Sequence, residues 1–302
     1  MTCSQRLSHS ASFRRLPRLG RSRRFVAAAV ALLSVVLLSG CSREEATRFG
    51  WPKGITPQAE QMRQLWTWSV VAALAVGVIV WALIFWCVVR YRKRGENLPV
   101  QTRFNAPIEV IYTVAPILIV LVLFYYTAVT QSYVDTQSGH PDVTVNVVAS
   151  KWKWTFEYPD YKTSGPQSKT ISTVGSTEGT PVLVLPVGKR VRFTEQSTDV
   201  VHSFWIPELL FKRDVIPGRI NSFEVTVDKA GAYVGRCAEL CGTYHSSMNF
   251  ELRAVTWQQY QDFVAKKKIE MSTPDALRAI GEKPYAITTK PTDTNRSAAN
   301  GI

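Results

Sequence analysis

Gly235-Arg236-Cys237-Ala238-Glu239-Leu240-Cys241-Gly242-Thr243-Tyr244-His245-Ser246-Ser247-Met248 concentrates two thiols, an imidazole, a thioether and a carboxylate in the twelve residues from Cys237 to Met248. Thiolate and thioether are soft donors and imidazole also suits copper, so the set points to a soft or borderline transition metal, copper first. A zinc ribbon would repeat a tight Cys pair twice, and this chain has one pair, separated by three residues. A single blue-copper ion needs one Cys with two His and a weak Met. The second Cys is surplus for one ion and suits a dinuclear centre bridged by two thiolates, which needs a second imidazole. A Cys237–Cys241 disulfide in an exported domain is the competing reading. It accounts for both cysteines but not for the His and Met beside them.

Four histidines are available, and His9 and His140 sit in unpromising surroundings. His202 lies in Ser197-Thr198-Asp199-Val200-Val201-His202-Ser203-Phe204-Trp205-Ile206-Pro207. The pattern C-A-E-L-C-G-x-x-H-x-x-M, preceded by D-V-x-H-S-F-x-x-P and K-x-D-x-x-P-G-R, resembles subunit 2 of haem-copper cytochrome c oxidase over roughly residues 60 to 265. Carried over residue by residue, the resemblance implies a dinuclear copper A centre. Its ligands are the side chains of His202, Cys237, Cys241, His245 and Met248 and the backbone carbonyl of Glu239. Each copper then has two bridging thiolates, one His and one weak axial ligand. The resemblance also makes the Glu239 side chain a ligand to magnesium shared with subunit 1, a role that suits a hard cation.

The 302 residues carry a formal charge of +13. Seven arginines and no acid fall within the first forty, and the remainder holds 29 basic and 23 acidic residues. The basicity is therefore largely an export signal, and nucleic-acid binding is not supported. Residues 1–24 are basic, 25–38 apolar, and Leu38-Ser39-Gly40-Cys41 resembles a bacterial lipobox. We read 1–40 as a lipoprotein signal peptide and Cys41 as the lipidated N-terminus; an uncleaved anchor helix is the alternative. An exported linker covers 41–64.

Residues 65–89 contain no charge and are long enough to span a bilayer, and Arg90-Tyr91-Arg92-Lys93-Arg94 places that end in the cytoplasm. Cys87, near that end, reads as an inert apolar side chain. A second span, about 110–129, completes a transmembrane hairpin over 65–130 with both ends outside, and Pro116 is expected to kink it. Asn105-Ala106-Pro107-Ile108-Glu109-Val110-Ile111-Tyr112-Thr113-Val114-Ala115-Pro116 matches the family's N-x-x-x-E-x-x-W-T-x-x-P, with Tyr112 in place of Trp. The resemblance implies that Glu109 lies near the cytoplasmic mouth of a proton path into subunit 1. A solvated carboxylate favoured by the helix dipole is the alternative.

From about residue 135 the pattern has period two. Strand candidates are 143–147, 152–158, 182–185, 190–194, 223–227, 232–235 and 250–255. Seven short strands suggest a Greek-key β-sandwich or barrel, which the resemblance names a cupredoxin fold. The fold class is thus a membrane-anchored all-β chain: a two-helix hairpin followed by a copper domain over 135–268. A short helix is expected at 257–268 and a tail at 269–302 that is either unstructured or extended against neighbouring subunits. Both ligand segments are expected to follow strands.

Trp152, read from composition, is a strand aromatic in the core. The resemblance makes it the point where electrons enter from cytochrome c, exposed above the copper loops. Lys151 and Lys153 flank it where the family's docking patch is acidic, which points to a different donor. No C-x-x-C-H occurs, so the donor haem is on a separate protein. The whole resembles a lipid-anchored subunit 2 of an aa3-type oxidase in the cell membrane, copper domain on the outer face, with subunits 1 and 3 as partners. Its Arg-rich signal and basic Trp152 flanks resemble actinobacterial oxidases, where the donor belongs to a cytochrome bc complex. A quinol oxidase subunit would lack the ligands, a nitrous oxide reductase would need a His-rich propeller, and a copper carrier would need no hairpin.

Overall fold

The computed structural model describes residues 30, 48–93, 95, 96, 101–176 and 179–288. Cys41 and, apart from residue 30, the segment read as a signal peptide lie outside the described residues. The described residues from 48 onward belong to one compact unit.

Helix α1 runs Pro57–Arg90, starting before the charge-free stretch because its capping chemistry lies upstream. Thr56 accepts from the Ala59 N–H at 3.0 Å and Pro57 fills the first turn, where its missing N–H costs nothing. Trp51 stacks on Trp66 at 5.2 Å, fastening the approach to the helix. Helix α2 runs Ala106–Asp135 with Asn105 as its cap. It continues through Pro116 without a break in the helix. Both helices are long and apolar enough to cross a membrane, and large side chains such as Phe85, Trp86 and Phe124 lie exposed along them.

The rest is a sandwich of two five-stranded sheets. Strands β1 (Val143–Ser150), β2 (Lys153–Lys162), β3 (Thr170–Val174), β5 (Arg190–Ser197) and β8 (Asn221–Thr226) form one sheet, ordered β3-β2-β1-β5-β8. Strands β4 (Val182–Pro186), β6 (His202–Ile206), β7 (Phe211–Val215), β9 (Gly231–Cys237) and β10 (Asn249–Val255) form the other, ordered β4-β10-β9-β6-β7. β1 pairs parallel with β5 and β4 parallel with β10, as in the cupredoxin-type sandwich the sequence led us to expect.

Alternation explains the packing: β1 buries every second residue, with Val143, Val145 and Val147 inward. Trp154, Phe156, Phe193, Phe204, Phe223 and Phe250 fill the space between sheets, with Phe204 stacked on Phe250 at 4.8 Å. Phe250 lies opposite Gly235 in the β9–β10 register, and a Cβ there would come within 2.2 Å of its ring. The Tyr158 hydroxyl joins the sheets, donating to the Val184 carbonyl at 3.2 Å and accepting its N–H at 3.0 Å.

Several expectations need revision. Strands β3, β6 and β7 went unread: β6 (HSFWI) buries nearly every residue rather than alternating, and β7 (FKRDV) is mostly charged. His202 opens β6, directly after the short loop that follows β5. Trp152 sits in the turn before β2, not on the strand. Helix α3 occupies Trp257–Lys268 as expected, closed by a Thr256–Gln259 capping box. Of the segment beyond it, expected to be unstructured or extended, 289–302 lie outside the described residues, Thr273–Ala279 form helix α4, which packs on α3, and residues 282–288 return to β10. There the buried Arg253 pairs with buried Glu251 and reaches Glu282 at 3.0 Å. Glu251 in turn accepts from the Ile287 and Thr288 N–H groups at 2.6 and 2.9 Å.

Candidate metal centre

The end of β9, the start of β6 and the loop before β10 meet at one end of the sandwich. Phe204 of β6 pairs with Cys237 of β9. The Cys237 N–H donates to the Met248 carbonyl at 3.1 Å and the Ala238 N–H to the Ser203 carbonyl at 3.0 Å, so the three segments are knitted together by backbone. Gly242 turns the loop at φ +117°, a conformation side chains disfavour. The His245–Ser247 3-10 turn then brings His245 and Met248 round to the two thiols.

His202, Cys237 and Cys241 place one donor atom each within 4.8 Å of one another, and all three are buried. The two sulfurs are 3.9 Å apart, nearly twice the ~2.05 Å of a disulfide bond, and both cysteines are free. His202 Nδ1 lies 3.9 Å from Cys237 Sγ, and His245 Nδ1 lies 3.6 Å from Cys241 Sγ. Met248 Sδ is 3.8 Å from Cys241 Sγ, and the Glu239 carbonyl oxygen is 3.3 Å from Cys237 Sγ. Four further donors thus surround the pair of sulfurs, an imidazole beside each. Soft donors converging on one buried point fit copper.

Electrostatics already separate the two thiols. Burial pushes Cys237 up, but hydrogen bonds with His202 and with the Glu239 and Ser203 backbone outweigh it and bring the thiol down to about 7. Cys241 is pushed up to about 12 by burial and by the charge of Cys237 beside it. Burial lowers the His202 pKa, yet its bonds to Cys237 and Asp199 leave it raised.

Two residues missed as contributors to the site support it. Asp199 holds the far face of His202, Oδ1 to Nε2 at 2.8 Å, and its Oδ2 accepts from the Lys151 N–H at 2.7 Å. A carboxylate fixing the second nitrogen of a ligating imidazole is a common outer-shell arrangement, and its place three residues before His202 was the available signal. Trp154 donates its indole N–H to the Met248 carbonyl at 3.1 Å and meets His202 edge-on at 6.2 Å. Trp152 donates to the Cys241 carbonyl, packs edge-on against exposed Tyr244 at 4.9 Å and lies over Gly242. Glu239 and Leu240 are exposed at the loop tip. Glu109 is elsewhere, in the first turn of α2, where its carboxylate accepts from the Asn105 N–H at 3.0 Å.

Fold and site together define a β-sandwich that follows two membrane-length helices and groups thiol and imidazole donors that could hold a metal. The family model described as "Cytochrome C oxidase subunit II, periplasmic domain" matches residues 143–255, and the corresponding transmembrane-domain model matches 44–128. A probable cytochrome c oxidase subunit 2 of Nocardia farcinica is 42% identical, the match covering 93% of this chain and 91% of that one. Cytochrome c oxidase subunit 2 of Mycobacterium tuberculosis is 40% identical over 91% of this chain and 90% of that one. The solved periplasmic domain of cytochrome oxidase subunit II from Bradyrhizobium japonicum is 26% identical, covers 45% of this chain and all of its own, and superposes with a TM-score of 0.39. This chain belongs to the cytochrome c oxidase subunit 2 family. It is a membrane-anchored subunit of a haem-copper terminal oxidase, with a copper A-type cupredoxin domain.

Proposed function

We propose that this chain is the electron-accepting subunit of a proton-pumping aa3-type cytochrome c oxidase. The observation that carries the reading is the convergence of His202, Cys237 and Cys241 on one buried point in a chain of this family. Held by those three with His245, Met248 and the Glu239 carbonyl, a dinuclear copper A centre would supply one-electron chemistry between a c-type cytochrome and haem in subunit 1, where oxygen is reduced.

The chain's own residues hold and shield. Asp199 and Trp154 fix the His202 ring, and Phe204, the register partner of Cys237, stacks on Phe250 in the same buried core as both cysteines. A ligand set braced by backbone and packing moves little between redox states, which suits fast electron transfer. Trp152, joined to the Cys241 carbonyl, is the proposed point where electrons enter. Glu239, with its carboxylate at the exposed loop tip, is the proposed magnesium ligand at the subunit 1 interface. Glu109 is the proposed mouth of a proton path, although its bond to Asn105 also serves the helix start.

The basic residues after α1 favour a cytoplasmic hairpin loop and a copper domain on the outer face. Cys41 is the proposed lipid attachment point after removal of residues 1–40, followed by the linker to residue 64, the hairpin over 65–130, the copper domain over 135–268 and the segment 269–302. Proposed partners are subunits 1 and 3 and a separate c-type cytochrome within a cytochrome bc complex. Lys151 and Lys153 beside Trp152 favour a donor without the usual basic docking face.

Rapid mixing of the oxidase containing this chain with a reduced c-type cytochrome tests the reading. The copper absorption is expected to bleach before the haem of subunit 1 is reduced. Haem reduction while the copper stays oxidised would argue against it.

A further inference from the structure

Glu195 has no part in the metal centre. It shares the inward face of β5 with Val191 and Phe193 and is 0% exposed, and neither carboxyl oxygen has a hydrogen-bond partner. Its register neighbours, Val147 of β1 and Asn221 of β8, carry no charge. The charges come from β7, which is in contact with β5. Burial raises the Glu195 pKa to about 9, with Arg213 pulling it down and Asp214 adding to the rise.

Arg213 is already engaged. Its Nη2 pairs with Asp135, the last residue of α2, its guanidinium lies 5.5 Å from the centre of the Phe211 ring, and its Nε is buried without a partner. Lys212, the other cation of β7, pairs with Asp214 at 2.7 Å. An acid with two idle oxygens and a guanidinium with one idle N–H thus sit on strands packed together, while a helix-end carboxylate holds the guanidinium's other arm.

We propose that Glu195 is a proton-binding switch at the junction of the sandwich and α2, competing with Asp135 for Arg213. As the neutral acid it tolerates burial and leaves Arg213 on Asp135. On giving its proton to solvent, it becomes a buried carboxylate that needs a cation, and it draws Arg213 inward. Only the carboxyl O–H bond breaks. The responding residue lies in the β6–β7 pair: Ser203 Oγ donates to the Arg213 carbonyl at 3.2 Å, and His202 pairs with Val215 in the same ladder.

The test uses the full-length chain in detergent micelles. Infrared spectra at neutral pH are expected to show a protonated-carboxyl band that titrates away with a midpoint near 9 and is absent from Glu195→Gln. A wild-type spectrum lacking that band overturns the proposal. The thermal midpoint of Asp135→Asn is expected to fall below that of the wild type at neutral pH and to converge with it well above the titration. An equal difference at both pH values overturns the competition for Arg213. The wild-type infrared titration and the Asp135→Asn comparison decide the question even if Glu195→Gln fails to fold.

Discussion

Trp152 donates its indole N–H to the carbonyl oxygen of Cys241 at 3.1 Å, so a half-buried surface ring is one hydrogen bond from the backbone of a buried thiol. Its own segment is held from the other side, because Asp199 grips both the Lys151 N–H and the His202 ring. The proposed electron-input residue and the proposed ligand loop are therefore parts of one braced assembly.

Trp152→Phe keeps most of the ring area and removes the donor. Reduction by a c-type cytochrome is expected to slow by on the order of tenfold, equivalent to about 1.4 kcal/mol of barrier, with copper content unchanged. Rapid-mixing kinetics alongside metal analysis check this. Unchanged kinetics would leave Trp152 a packing residue of the loop.

Glu224, 3% exposed, ties the sandwich to the chain leaving α2. It accepts from Arg192 Nε and from the Ser138 N–H, each at 2.9 Å. Burial raises its pKa, but these bonds outweigh burial and leave it lowered. A folded-state value below the unfolded one gives stability that is full above the ordinary carboxylate range, about 4.3 for Glu, and is lost as pH falls through the folded value. Glu224→Gln is expected to cost about 1.5–3 kcal/mol at neutral pH and to flatten the acid side of the stability profile. Thermal unfolding across pH measures both.

Arg253 and Glu251 are 2% and 0% exposed, and the segment after α4 completes their hydrogen bonds. Arg253→Met leaves the Glu251 charge without its buried cation and is expected to destabilise the domain by about 3–5 kcal/mol. Urea unfolding followed by circular dichroism tests this. A loss under about 1 kcal/mol, typical of surface pairs, would mean the pair is not sealed by that segment.

The sequence made the metal centre legible because its donors are chemically rare and clustered. Cys237, Cys241, His245 and Met248 fall within one loop, and His202 was the suitable histidine left. The apolar helices were equally plain, although their ends were not: Thr56 and Asn105 set the starts through capping outside the apolar runs. Period-two reading found β1, where one face is buried, and failed on β6, buried almost throughout. It put Trp152 on a strand because Trp154, Phe156 and Tyr158 alternate after it, whereas β2 begins at Lys153. The Thr-, Pro- and Lys-rich composition after α3 masked a segment ordered by two buried charges far upstream. Glu195 drew no notice, since an acid within an alternating strand reads as outward-facing.

Electron paramagnetic resonance on the copper-loaded, partly oxidised full-length chain tests the central claim most directly. One unpaired electron shared over two copper nuclei is predicted to give the hyperfine pattern of a dinuclear centre, lost in Cys237→Ser and in Cys241→Ser. A single-copper pattern, or no copper retained with a disulfide between Cys237 and Cys241, would contradict the account.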